Sequence, residues 1–124
     1  MYERILVATD GSETATRAVD RAVKVAQATG GTLTLLTAAP PAQADAILAR
    51  EMKRLADAGV QLETRASERD AASAIVEAAE GGDYDLVVVG NKGMTGSKRF
   101  FTLGSVPNKV SHHLATNLLI VRTT

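Results

Sequence analysis

The chain has 124 residues, with 14 basic and 14 acidic side chains and no Cys. The missing Cys excludes a disulfide scaffold and any thiolate metal site, and the neutral net charge argues against a surface built generally for nucleic acid. Apolar residues make up 45% and aromatics only 3%, so the core must come from Val, Leu, Ile and Ala, a mixture suited to buried parallel strands against Ala-rich helices. The length predicts one domain over residues 1–124. The first residues, MYERILVATD, carry charge where a secretion signal needs an apolar run. No stretch reaches the roughly 20 apolar residues of a membrane span, and a cytoplasmic, membrane-free protein is expected.

Arg4 to Thr9 reads as a buried strand ended by Asp10-Gly11-Ser12. Ser12 is placed to cap a helix, with Glu13 in its first turn. Ala15, Ala18, Val19, Ala22, Val23 and Ala26 then recur at helical spacing, and Gly30-Gly31 closes the helix. Thr32 to Thr37 is a second strand. After Pro40-Pro41 a helix is predicted over about Ala42 to Ala58, stopped by Gly59. Val60 to Arg65 alternates as a half-exposed strand does. Asp70 caps a third predicted helix reaching about Ala79, ahead of Gly81-Gly82. Asp85 to Val89 is the strongest strand signal; a short helix from Ser105 to about Leu114 and a strand from Leu118 to Arg122 complete the pattern. Strand–helix alternation of this kind predicts an α/β fold, a parallel sheet with helices on both faces.

Between the fourth strand and the last helix runs GNKGMTGSKRFFTLGS, Gly90 to Ser105. It begins at the carboxyl end of a buried strand and finishes at a helix N-terminus. Glycines there let backbone N–H groups approach a ligand, and the helix start adds free N–H groups and a positive dipole end. The Ser105 hydroxyl can donate to a phosphate oxygen, and Lys98 and Arg99 can add charge-assisted contacts. No acid occurs after Asp85, and Asn91 to Thr124 carries five cations, Lys92, Lys98, Arg99, Lys109 and Arg122. Position, glycines and charge together point to a local anion site. The Walker A pattern and the dinucleotide fingerprint are both absent.

The segment resembles the universal stress protein family. Its nucleotide-binding members have Gly, two residues, Gly, a longer stretch and then Gly-Ser or Gly-Thr, matched here by Gly90, Gly93 and Gly104-Ser105. VATDGS near the start, Ser105-Val106-Pro107 and LLIVRT near the end are similar too, so the resemblance covers essentially the whole chain. It implies the adenine nucleotide alpha hydrolase-like sheet order 3-2-1-4-5. It implies an ATP-binding regulator of stress response, Mg²⁺ or Mn²⁺ arriving with the nucleotide, and a homodimer paired through Leu118–Arg122. Gly90, Gly93, Gly104, Ser105 and Val106 would hold the phosphates with Lys98. Asp10 would serve the ribose side and help hold a metal; Ala8 and Ala38 would line the adenine, with Val89 beneath. Two departures stand out: ten residues separate Gly93 from Gly104, one more than is usual, and the chain is short after Pro40, where relatives close the adenine pocket.

From the residues alone, Asp10 also reads as an Asx turn, and Ala8, Ala38 and Val89 as core packing. His112 and His113 are adjacent rather than one turn apart, which suits a helix C-terminus better than a metal site. Neither Ser12 nor Ser105 has an assignable His–Asp partner, and no general base is evident, so at most slow ATP hydrolysis is expected. A receiver domain fails because Arg65-Ala66-Ser67 ends the third strand where it needs Asp, and Arg122 the fifth where it needs Lys. Two alternatives remain at this stage: a dimerisation module for an unknown protein partner that binds no nucleotide, and a cyclic AMP binder.

Overall fold

A computed structural model describes residues 2–91 and 105–123, apart from the side chains of Ser105 and Val106. In chain order the elements are β1 (Arg4–Ala8), α1 (Glu13–Thr29), β2 (Thr32–Ala38), α2 (Pro41–Arg54), β3 (Leu62–Ser67), α3 (Ala71–Gly81), β4 (Leu86–Gly90), α4 (Ser105–His113) and β5 (Asn117–Val121). The strands form one parallel sheet in the order β3-β2-β1-β4-β5. This is the sheet order implied by the sequence resemblance.

The sheet buries both faces, which explains why its inner strands are nearly continuous apolar runs. On one face Ile5, Val7, Leu33, Leu35, Leu86 and Val88 meet Ala18, Val19, Ala22 and Val23 of α1 and Leu48 of α2. On the other face Leu6, Ala8, Leu36, Val87 and Val89 meet Ala72, Ile75 and Ala78 of α3 and Val110 of α4. Small Ala residues on α1 and α3 let the helices sit close, so few aromatics are needed to fill the layers. The two edges differ. In β3, Glu63 to Ala66 is exposed and polar in the main, whereas Leu118, Leu119 and Ile120 of β5 are half-buried and apolar.

Helix starts and stops follow the sequence signals. Ser12 Oγ accepts from Ala15 N–H at 3.1 Å, and Gly30 ends α1 at φ 77°, donating to the Ala26 carbonyl. Asp70 Oδ2 accepts from Ser73 N–H at 3.1 Å and caps α3. Boundaries move by a few residues where tertiary pairing outweighs local pattern. The second helix ends at Arg54, because buried Leu55 turns the chain back into the core. The third strand runs Leu62–Ser67 rather than Val60 to Arg65, because its ladder to β2 pairs Leu33 with Leu62 and Ala38 with Ser67.

Among the described residues, one charged group lies inside the fold. Glu51 on α2 is 1% exposed, and Arg54 grips it with Nε at 2.9 Å and Nη2 at 2.8 Å. Arg54 Nη1 also reaches Asp20 of α1 at 2.7 Å. The hydrogen bonds to Glu51, and then to Asp20, raise the Arg54 guanidinium further above its ordinary range against the opposing effect of burial. This three-residue network ties α2 to α1. Glu51→Ala is expected to cost about 2 kcal/mol in urea denaturation, less than for a wholly buried pair because Arg54 keeps Asp20 and some water.

The Asp70 carboxyl is held below its ordinary 3.8, first by the Ser73 backbone N–H and then by the Ser73 side chain. A depressed carboxyl contributes stability that is fully present above its unfolded pKa and fades as pH falls through the folded value. Asp70→Asn, which keeps a capping oxygen, is therefore expected to flatten the acid limb of the thermal-stability profile below about pH 4 while leaving neutral stability close to wild type.

Candidate functional site

The site is defined by where the strand order reverses. The chain leaves β1 toward α1 on one face and leaves β4 toward α4 on the other, so the carboxyl ends of these neighbours open a cleft between diverging connections. The ladder pairs Val7 with Val88. Continued by one and two residues, it brings Ala8 beside Val89 and Thr9 beside Gly90.

The β1 side of the cleft is a tightly bonded turn. Thr9 is fully buried; its N–H donates to the Leu36 carbonyl at 2.9 Å, and its own carbonyl accepts from Thr37 Oγ1 at 2.9 Å. Gly11 N–H donates to Thr9 Oγ1 at 3.0 Å, and Ser12 N–H donates to Asp10 Oδ1 at 2.9 Å. Asp10 thus makes the Asx turn read from its sequence, while its half-buried carboxylate stays at the strand end. Gly11 has φ 81°, a conformation that suits glycine.

The β4 side is latched to β5. Asn91 N–H donates to the Val121 carbonyl at 2.8 Å, and Asn91 Oδ1 accepts from Thr123 N–H at 2.8 Å and Thr123 Oγ1 at 3.1 Å. A Cβ on Gly90 would lie 3.2 Å from Thr123 Cγ2, so the glycine also serves this close packing. Arg17 of α1 reaches across to the Thr123 carbonyl at 2.6 Å. These bonds fix the point at which the glycine-rich segment departs.

The structure brings Asp10, Gly90 and the Ala8–Val89 floor together at the carboxyl ends of β1 and β4. Ala8 and Val89 lie in the core on the α3/α4 face, and half-buried Ala38 packs against the same cluster. Ser105 and Val106 begin α4. Gly93, Lys98 and Gly104 lie outside the described residues, as do the side chains of Ser105 and Val106. His112 and His113 occupy the last turn of α4, where His113 Nδ1 donates to the Lys109 carbonyl at 2.9 Å, as a helix-end histidine does. Among the described residues no three His, Asp or Glu side chains cluster as metal ligands, and no helix is long and apolar enough to cross a membrane.

Sequence reasoning missed the framing residues Thr9, Thr37, Asn91 and Thr123. Their signal was weak, since a Thr or Asn at a strand end is common and its partner lies far along the chain. The link between β2 and α2 is only Ala39 and Pro40.

Fold and cleft together define a doubly wound parallel α/β protein with a cleft at its switch point. The sequence model of the universal stress protein family matches residues 1–53 and 42–122, and the chain belongs to that family. It is 31% identical to the universal stress protein YxiE of Bacillus subtilis over 149 aligned residues, spanning 98% of this chain and all of the relative. A universal stress protein of Mycobacterium tuberculosis is 34% identical, with 99% of this chain and 98% of the relative covered. Among solved structures, a universal stress protein in complex with cAMP superposes with a TM-score of 0.86 at 40% identity, covering 99% of this chain and 98% of that one.

The latch gives a direct test. Asn91→Ala leaves the buried Thr123 groups without their acceptor and is expected to cost about 1–3 kcal/mol. Amide exchange should show the loss concentrated at the ends of β4 and β5 rather than spread through the sheet.

Proposed function

We propose that residues 1–124 form one adenine-nucleotide-binding domain of a cytoplasmic stress-response regulator, with ATP in the cleft between β1 and β4. The observation that carries this reading is the switch-point mouth. There Asp10, on a turn fixed by the bond from Ser12 N–H, stands at the end of β1 next to the strand from which a glycine-rich, acid-free segment leads on to α4. Backbone N–H groups of Gly90, Gly93, Gly104, Ser105 and Val106, with Lys98, would receive the phosphates. Asp10 would accept from the ribose hydroxyls. Ala38 would face the base, above the floor made by Ala8 and Val89.

A divalent cation fits this donor set in a limited way. Asp10 supplies one hard carboxylate, and Mg²⁺ or Mn²⁺ is commonly held by one or two carboxylates plus substrate phosphates. The metal would neutralise phosphate charge when bound. The chain would act through ligand-dependent conformation and association, with hydrolysis of ATP slow at most. The half-buried apolar edge of β5 supports a homodimer paired through Leu118–Arg122.

A second reading, cyclic AMP in the same cleft, is favoured by one observation: the similar structure at 40% identity is a complex with cAMP. Calorimetric titration with ATP and Mg²⁺, AMP and cyclic AMP separates the two. Saturable ATP binding at one per chain, strengthened by Mg²⁺, supports the first reading; binding of cyclic AMP alone replaces it with the second. Gly104→Glu should abolish nucleotide binding with the fold intact, and Asp10→Ala should weaken it about tenfold, as expected for a lost hydrogen bond to a charged group. Absence of binding to all three ligands, checked by equilibrium dialysis, would leave a protein-interaction module built on the β5 edge.

A further inference from the structure

The short link after β2 has a positive consequence. Because only two residues separate Ala38 from the start of α2, the middle of the helix passes directly over the β1–α1 turn. Arg50 Nη2 donates to the Gly11 carbonyl at 2.6 Å, a charge-assisted bond. Ile47 packs on the same glycine, and a Cβ on Gly11 would lie 3.2 Å from Ile47 Cγ1 and Cγ2 and collide with Arg50 Nη2. Arg50 and Arg54 stand one turn apart on α2, so one helix face delivers one guanidinium to the start of α1 and another to Asp20 within it.

Gly11 is the pivot of the turn that carries Asp10. Its N–H is held by Thr9 Oγ1, its carbonyl by Arg50, and the next N–H by Asp10 Oδ1. Of these three, only the Arg50 bond comes from another element. The other two are local and can re-form in more than one turn geometry. Arg50 is exposed, so its removal opens no cavity in the core.

We propose that Arg50 is a positioning residue for the cleft: by holding the Gly11 carbonyl from α2, it fixes the turn that presents the Asp10 carboxylate. The effect on binding rests on the adenine nucleotide reading above, whereas the effect on the turn does not.

The test uses the full chain with Arg50→Ala and Arg50→Lys. In the ligand-free protein, NMR-detected exchange at the Gly11 and Ser12 amides should quicken about tenfold in Arg50→Ala, in line with a lost charge-assisted bond, while the melting temperature stays near wild type. Arg50→Lys, which keeps a cationic donor, should recover part of the protection. With ATP and Mg²⁺, Arg50→Ala should bind about three- to tenfold more weakly, and the preference for ATP over 2′-deoxy-ATP should narrow, because Asp10 serves the ribose side. Unchanged exchange at both amides would overturn the proposal. So would acceleration spread over the whole sheet with a fall in melting temperature, which would make Arg50 a general stabiliser. Local acceleration with ATP affinity and ribose preference intact would overturn its role in the cleft. If the wild-type chain binds no nucleotide, the functional reading falls, and exchange at Gly11 and Ser12 alone decides whether Arg50 holds the turn.

Discussion

Parallel strands joined by right-handed crossovers constrain everything else in this molecule. Two successive crossovers in one sense carry the chain from β1 through β2 to β3 with α1 and α2 on one face; the return to the other side of β1 puts α3 and α4 on the opposite face. The reversal separates the connections leaving β1 and β4. The cleft is therefore a product of topology before any side chain is considered, and the residues around it have the narrower task of holding two strand ends in place.

They do so by different means. At β1 the turn is bound to its own side chains and to α2, through Thr9, Asp10 and Arg50. At β4 the chain is tied to β5 through Asn91 and Thr123, and α1 joins in through Arg17. Both sides thus depend on long-range polar contacts whose groups would be costly to leave unpaired. Strand ends fixed in this way would lower the ordering cost of a ligand bound between them.

Much of this was legible in the sequence because the relevant signals are local. The apolar runs Ile5 to Ala8 and Leu86 to Val89 admit only buried strands, Ser12 and Asp70 sit one residue ahead of their helices, and Gly30 closes α1 in the conformation glycine suits. The β3 boundary was not legible, because a polar edge strand takes its register from its neighbour. Nor was the α2 terminus, where burial of Leu55 overrides the helical run toward Gly59. In the site, Asp10 could be found from its motif, whereas Asn91, Thr123 and Arg50 act through partners 32 and 39 residues away, beyond any local pattern.

The contrast between the two sheet edges bears on how copies of the chain can assemble. The edge at β3 exposes Glu63, Thr64 and Arg65, while that at β5 carries apolar Leu118, Leu119 and Ile120. If β5 pairs with another β5, the contact is isologous and uses up the only receptive edge on each copy. No adhesive edge is then left to propagate, and growth stops at two. A β3 edge as apolar as β5 would instead permit head-to-tail addition without closure, and so an open fibre. On the β5–β5 pairing, the exposed charges on β3 would set the upper limit on the size of the assembly.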